Sequence, residues 1–152
     1  MPLADCLHPA AVLIAPEAPD KWQLIERLTQ AMVASGRLPA ARQAEAVKAL
    51  FARETCVSTG MEHGIAIPHA ALEGLAEMVV AMALIPEGLN FDSQDRKPAQ
   101  VVVAVVVPRE EKLLHLQALA EVARRLGDPS FKEKLLLCRD GREAVALWAN
   151  PS

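Results

Sequence analysis

Two unbroken apolar runs, Met78–Ile85 and Val101–Val107, limit what this chain can fold into. A strand with one wet face alternates apolar and polar residues; these do not, so both of their faces are dry. Both runs are far too short to span a bilayer as helices. They are rich in β-branched residues and read as central strands of a sheet covered by helices. That predicts an α/β fold with a mixed sheet flanked by helices on both faces.

The flanking segments agree. Pro86-Glu87-Gly88 and Asp92 to Pro98 are turn-rich, so a hairpin or short meander joins the two runs and the sheet is mixed. Ala11–Ile14 reads as a short strand. Asp20 then N-caps a helix, with Gln23 three residues on; Trp22, Ile25, Leu28 and Met32 recur at helical spacing, and Gly36 suits the position just past its end. A second helix is predicted from Pro39 to Arg53, with a stripe of Ala44, Val47, Leu50 and Phe51. Further helices are expected from Glu111 to Leu126, from Ser130 to Leu137 after Asp128-Pro129, and from the Asp140/Glu143 capping pair to Ala149. No repeat or linker divides the 152 residues, which read as one domain, 1–152, with an aliphatic core because aromatics make up only 3%.

Charge and cysteines exclude several functions. A net charge of −3 without a basic stripe argues against nucleic acid. No basic cluster is long enough to seek an anionic membrane surface, so no direct membrane insertion is expected. The 3 cysteines, Cys6, Cys56 and Cys138, are far apart and lack C-x-x-C spacing, so they read as reduced thiols. Met1 to Cys6 has no signal-peptide pattern, and a cytoplasmic location is expected by elimination. No G-x-x-x-x-G-K-[ST] run offers a nucleotide site, and no cofactor is expected. His63, His69 and His115 have no carboxylate or cysteine cluster at ligand spacing, so no metal is expected either.

One segment calls for chemistry. Gly64-Ile65-Ala66-Ile67-Pro68-His69-Ala70 is a short apolar strand that Pro68 stops, presenting the His69 imidazole at a rigid end between small neighbours. A neutral imidazole is nucleophilic near pH 7. Upstream, Arg53 offers a planar cationic fork suited to phosphoryl oxygens; downstream, His115 offers a hydrogen-bond donor. Ser58 and Thr59 either donate to the same phosphate or shape a turn. Glu54 reads as a solvated charge or a partner of Arg53, and Met61, Ile65 and Leu72 as an apolar docking rim or as core. Plainer readings exist for all three principal residues: a structural His69, a His115 packed beside an apolar stripe, and an Arg53 that merely complements a helix C-terminus. The combination suggests phosphate handled on histidine, with another protein as the donor.

Leu50-Phe51-Ala52-Arg53-Glu54-Thr55, Ser58-Thr59-Gly60 and Gly64-Ile65-Ala66-Ile67-Pro68-His69 closely resemble the enzyme IIA domain of the fructose/mannitol class in the bacterial phosphoenolpyruvate-dependent sugar phosphotransferase system, a class that includes the nitrogen-regulatory IIA proteins. The resemblance continues through Leu89-Asn90-Phe91-Asp92, Lys97-Pro98 and His115-Leu116-Gln117-Ala118-Leu119-Ala120, and so covers nearly the whole chain. It implies a protein-histidine phosphotransferase component. His69 would accept a phosphoryl group from the histidine-containing phosphocarrier protein and pass it to a IIB domain, with His115 and Arg53 as the other active-site residues. The alternative within the class is a regulator whose phosphorylation state controls binding to target proteins; a phosphorylation-dead interaction module is a third reading. The resemblance names no sugar. At Glu62, relatives commonly carry glycine; a glutamate there restricts the backbone and brings a negative charge toward the incoming phosphoryl.

Overall fold

The computed structural model describes residues 3–150. The sheet is built from β1 (Val12–Ile14), β2 (Ile65–Ala66), β3 (His69–Leu72), β4 (Val79–Leu89) and β5 (Ala99–Pro108). The helices are α1 (Lys21–Ala34), α2 (Gln43–Cys56), α3 (Lys112–Leu126), α4 (Pro129–Leu136) and α5 (Gly141–Ala149). β4 and β5 are antiparallel, with Val80 opposite Val105 and Leu84 opposite Val101. β1 runs parallel to β4, while β2 and β3 run parallel to β5 along its other edge. The sheet is therefore mixed, as predicted, and the two apolar runs are its centre.

Alternation along β4 and β5 feeds two cores. Val80, Met82 and Leu84 with Val101, Val103, Val105 and Val107 face α3, α4 and α5, meeting Val122, Leu126, Phe131, Leu135 and Trp148. Val79, Ala81 and Ala83 with Val102, Ala104 and Val106 face α1 and α2, meeting Leu24, Ile25, Leu28, Met32, Ala46 and Leu50. Helices on both faces thus account for the continuous hydrophobicity of the strands. Each fully buried Val, Leu or Met side chain contributes about 1.5–3 kcal/mol relative to exposure. Helix starts follow the expected caps: Asp20, Asp128 and Asp140 accept from the backbone N–H of Gln23, Ser130 and Glu143. Among the described residues, no helix is long and apolar enough to cross a membrane.

Three local expectations are corrected. Pro86-Glu87-Gly88 is not a turn: β4 continues through it with a shift of register between Leu84 and Leu89, and Gly88 supplies a φ of 82°. The segment before Arg53 starts as a 3-10 turn, Ala40–Arg42, and α2 proper runs on to Cys56, so Arg53 lies in its last turn rather than at its end. Pro68 interrupts the edge ladder without ending it. Pairing with β5 stops after Ala66 and resumes at His69, which therefore opens β3.

Candidate functional site

The interruption at Ile67-Pro68 places the imidazole. Pro68 has no N–H to give, yet its carbonyl accepts from Val105 N at 2.9 Å, so the backbone stays anchored to β5. His69 follows half-buried. Its Nδ1 lies 2.8 Å from the Ile67 carbonyl oxygen. A carbonyl only accepts, so Nδ1 carries the proton and Nε2 keeps its lone pair. The His115 ring, on the first turns of α3, meets the His69 ring edge to face with centroids 5.2 Å apart.

Arg53 descends from the last turn of α2 and donates to the Val57 carbonyl at 2.7 Å. With His69 it lines a cleft of about 350 Å³, walled by Ser58, Thr59, Gly60 and Met61 on one side and by Leu119, Ala120 and Ala123 of α3 on the other. Burial holds the His69 imidazole below its ordinary value of 6.5; the Ile67 carbonyl opposes this, and the nearby Arg53 guanidinium, and His115 once acid protonates it, add to it. Burial, then Arg53, lowers His115 as well. The site thus keeps two neutral imidazoles beside a permanent cation, a setting that welcomes an anion and leaves a nucleophilic nitrogen available.

Ser58 and Thr59 reach the cleft wall with their hydroxyl protons already committed: Ser58 Oγ donates to the Phe91 carbonyl and Thr59 Oγ1 to Glu54 Oε1. Glu54 is neither solvated nor paired with Arg53. Its side chain is 0% exposed, and its carboxylate accepts from Lys21 Nζ at 2.9 Å and from Thr59 N at 3.1 Å. Lys21 and Glu54 are 33 residues apart, so no local pattern announced the pair. Of the expected rim, Met61 is exposed while Ile65 and Leu72 are core. His63 is exposed and engaged elsewhere, its carbonyl accepting from Lys132 Nζ at 2.6 Å. Among the described residues, no three His, Cys, Asp or Glu side chains form a metal-binding group. Glu62 avoids the left-handed region, which falls instead on His63, at φ 66°, and Gly64, at φ 77°.

Residues 5–150 match the family described as the phosphoenolpyruvate-dependent sugar phosphotransferase system, EIIA 2. The chain belongs to this EIIA family. It is 29% identical to a nitrogen regulatory protein of Bradyrhizobium diazoefficiens over 151 residues, 99% of this chain and 97% of the relative. It is 39% identical to a fructose-specific EIIA component of Haloferax volcanii over 126 residues, 82% of this chain and 80% of the relative. The crystal structure of the nitrogen regulatory protein IIA-Ntr from Neisseria meningitidis superposes with a TM-score of 0.86 at 27% identity, covering 96% of this chain and 98% of that one. Members of the EIIA family act as phosphotransfer components. Larger hollows exist in this EIIA chain, such as the one of about 640 Å³ between α1 and α2. Volume does not select the site for such a role, because a group handed between proteins needs an accessible nucleophile rather than an enclosing pocket.

Proposed function

We propose that this EIIA protein carries a phosphoryl group on His69 Nε2, taken from the histidine-containing phosphocarrier protein and passed to a IIB domain. The observation that carries the reading is the Nδ1–H···O=C bond to Ile67, which leaves Nε2 as the nucleophilic nitrogen in a cleft shared with Arg53. As the Nε2–P bond forms, the bond from phosphorus to the donor's nitrogen breaks, and the electron pair leaves with the donor. No proton need move. The His69 ring takes on positive charge, and the Ile67 carbonyl on Nδ1–H stabilises it. Arg53 offers a cationic fork to the phosphoryl oxygens, and His115 a further donor. Onward transfer is the same displacement in reverse, with the partner's nucleophile attacking phosphorus.

Docking is served by exposed apolar side chains beside the cleft. Val57 is 66% exposed, Leu116 66% and Met61 37%; Val57 adjoins Arg53's hydrogen bond and Leu116 follows His115. Such a patch around a small polar centre suits a transient protein interface. The likeness to IIA-Ntr over 96% of the chain supports a second reading, in which the same phosphorylation controls binding to regulatory targets.

The test is incubation with phosphoenolpyruvate, enzyme I and the phosphocarrier protein, read by intact mass. One acid-labile phosphoryl group is expected, absent from His69→Ala. Equal labelling of His69→Ala would overturn the assignment. Transfer onward to IIB, or phosphorylation-dependent capture of a target, separates the transport reading from the regulatory one.

A further inference from the structure

A chain of hydrogen bonds runs from the first turn of α1 to the acceptor ring. Lys21 Nζ, on a side chain only 9% exposed, donates to Glu54 Oε2 at 2.9 Å. The Glu54 carboxylate accepts from both the N–H and the hydroxyl of Thr59. The Thr59 carbonyl accepts from Ile67 N at 3.1 Å. The Ile67 carbonyl accepts from His69 Nδ1 at 2.8 Å. The Lys21–Glu54 link spans 33 residues; the others join nearby residues and converge on Ile67, whose carbonyl fixes the His69 tautomer. Lys21 has a second arm: its Nζ also lies 2.9 Å from Asp92 Oδ2, at the start of the loop whose Gln94 lines the cleft. One ammonium group thereby ties down both loops that wall the site.

From this we infer that Lys21 and Glu54 are positioning residues, which hold the Ile67 carbonyl on Nδ1–H of His69 and so keep Nε2 free to accept a phosphoryl group. A buried ion pair is a costly way to gain stability alone, because desolvation offsets most of the attraction. Replacing it with apolar residues is often neutral for the fold. What it supplies here is direction: Glu54 has a defined number of acceptor sites, and they are spent on Thr59 and Lys21, which fixes the loop from 57 to 60 against the Ile67-Pro68 interruption between β2 and β3. The inference deepens the proposed phosphoryl-carrier reading and rests on it for its kinetic consequence, but not for its structural one.

The test compares the parent, Lys21→Arg and the apolar pair Lys21→Met/Glu54→Met. Imidazole 15N shifts of His69 at alkaline pH report the tautomer, and single-turnover labelling by the phosphocarrier protein reports the rate. The parent and Lys21→Arg are expected to hold the Nδ1–H form. The apolar pair should fold, show a mixed tautomer and gain phosphoryl about tenfold or more slowly, the scale of a modest misplacement of a reacting group, without a matching change in KM for the donor. A folded apolar pair with the parental tautomer overturns the inference, as does a shifted tautomer with a parental rate. Should the apolar pair fail to fold, Thr59→Val removes one link with little change in volume and is expected to shift the tautomer in the same direction; a parental tautomer in that variant overturns the inference too. If the parent itself takes no phosphoryl group, the carrier reading fails, while the tautomer comparison still decides whether Lys21 and Glu54 position the ring.

Discussion

The rings of His69 and His115 meet at 74° with 5.2 Å between centroids, so each imidazole is part of the other's environment. His69 is held below 6.5 by burial first, and by the charges of Arg53 and His115 after that. Removing His115 uncovers the ring and deletes the charge that His115 takes on when acid protonates it. His115→Ala should therefore raise the His69 titration midpoint toward 6.5, measured by NMR. The variant should still accept phosphoryl at alkaline pH, yet lose rate at a higher pH than the parent as acid protonates Nε2. An unmoved midpoint would show that the ring contact carries no electrostatic weight.

The same shifts link to stability. Both imidazoles have folded values below their unfolded ones, so the unfolded state binds more protons as pH falls below 6.5. Stability is full above 6.5 and declines as pH falls from there through the folded values. Denaturant titrations between neutral and mildly acidic pH should show this slope, and His69→Gln/His115→Gln should flatten it. Equal slopes in the parent and the double variant would count against the buried, neutral state of the two rings.

Arg53→Lys separates charge from shape. The ammonium keeps the positive charge but not the planar fork, and it cannot both hold the Val57 carbonyl and grip phosphoryl oxygens in two-point fashion. Labelling should slow by an amount equivalent to about 2–4 kcal/mol, the scale of one lost donor to a developing anion. Folded protein with parental rates of gain and onward transfer would leave the guanidinium without its role.

Gly60 is a packing constraint on the cleft wall. A Cβ there would stand 2.5 Å from Ser93 Oγ and 2.9 Å from the Phe91 carbonyl oxygen, and backbone cannot retreat as a flexible side chain does. Gly60→Ala should cost about 1–3 kcal/mol by denaturant unfolding, the range for overpacking. Parental stability would mean that the two loops are looser than their contacts indicate.

At Glu62 the backbone argument reverses the sequence expectation. The left-handed conformation falls one residue later, on His63. Glu62→Gly should thus relieve no strain and should lose about 0.4–1 kcal/mol through a freer unfolded chain. His63→Gly, at a φ of 66°, should be neutral or stabilising. Equilibrium unfolding of the two variants distinguishes the positions.

The sheet was legible because Val101–Val107 admits one environment, dry on both faces, and the structure buries it between two helical layers. Aspartates at 20, 128 and 140 announced helix starts because capping is a local event. The continuation of β4 past Pro86 was not legible, since a bulge presents the same proline and glycine as a turn. Lys21 escaped notice for a different reason: its carboxylate partner lies 33 residues away, and only the packing of α1 beside α2 brings them together. Arg53, His69 and His115 could be singled out individually from the sequence; the tautomer of His69 could not, because it depends on a carbonyl whose direction the edge interruption sets.

Ala70, next to His69, faces the α2 side of the sheet with Leu72. α2 packs on β3, the strand of Ala70 and Leu72, and α2 carries Arg53. The seat of Arg53 is therefore gauged by the methyl group at 70, since a larger side chain there would lift α2 from the sheet.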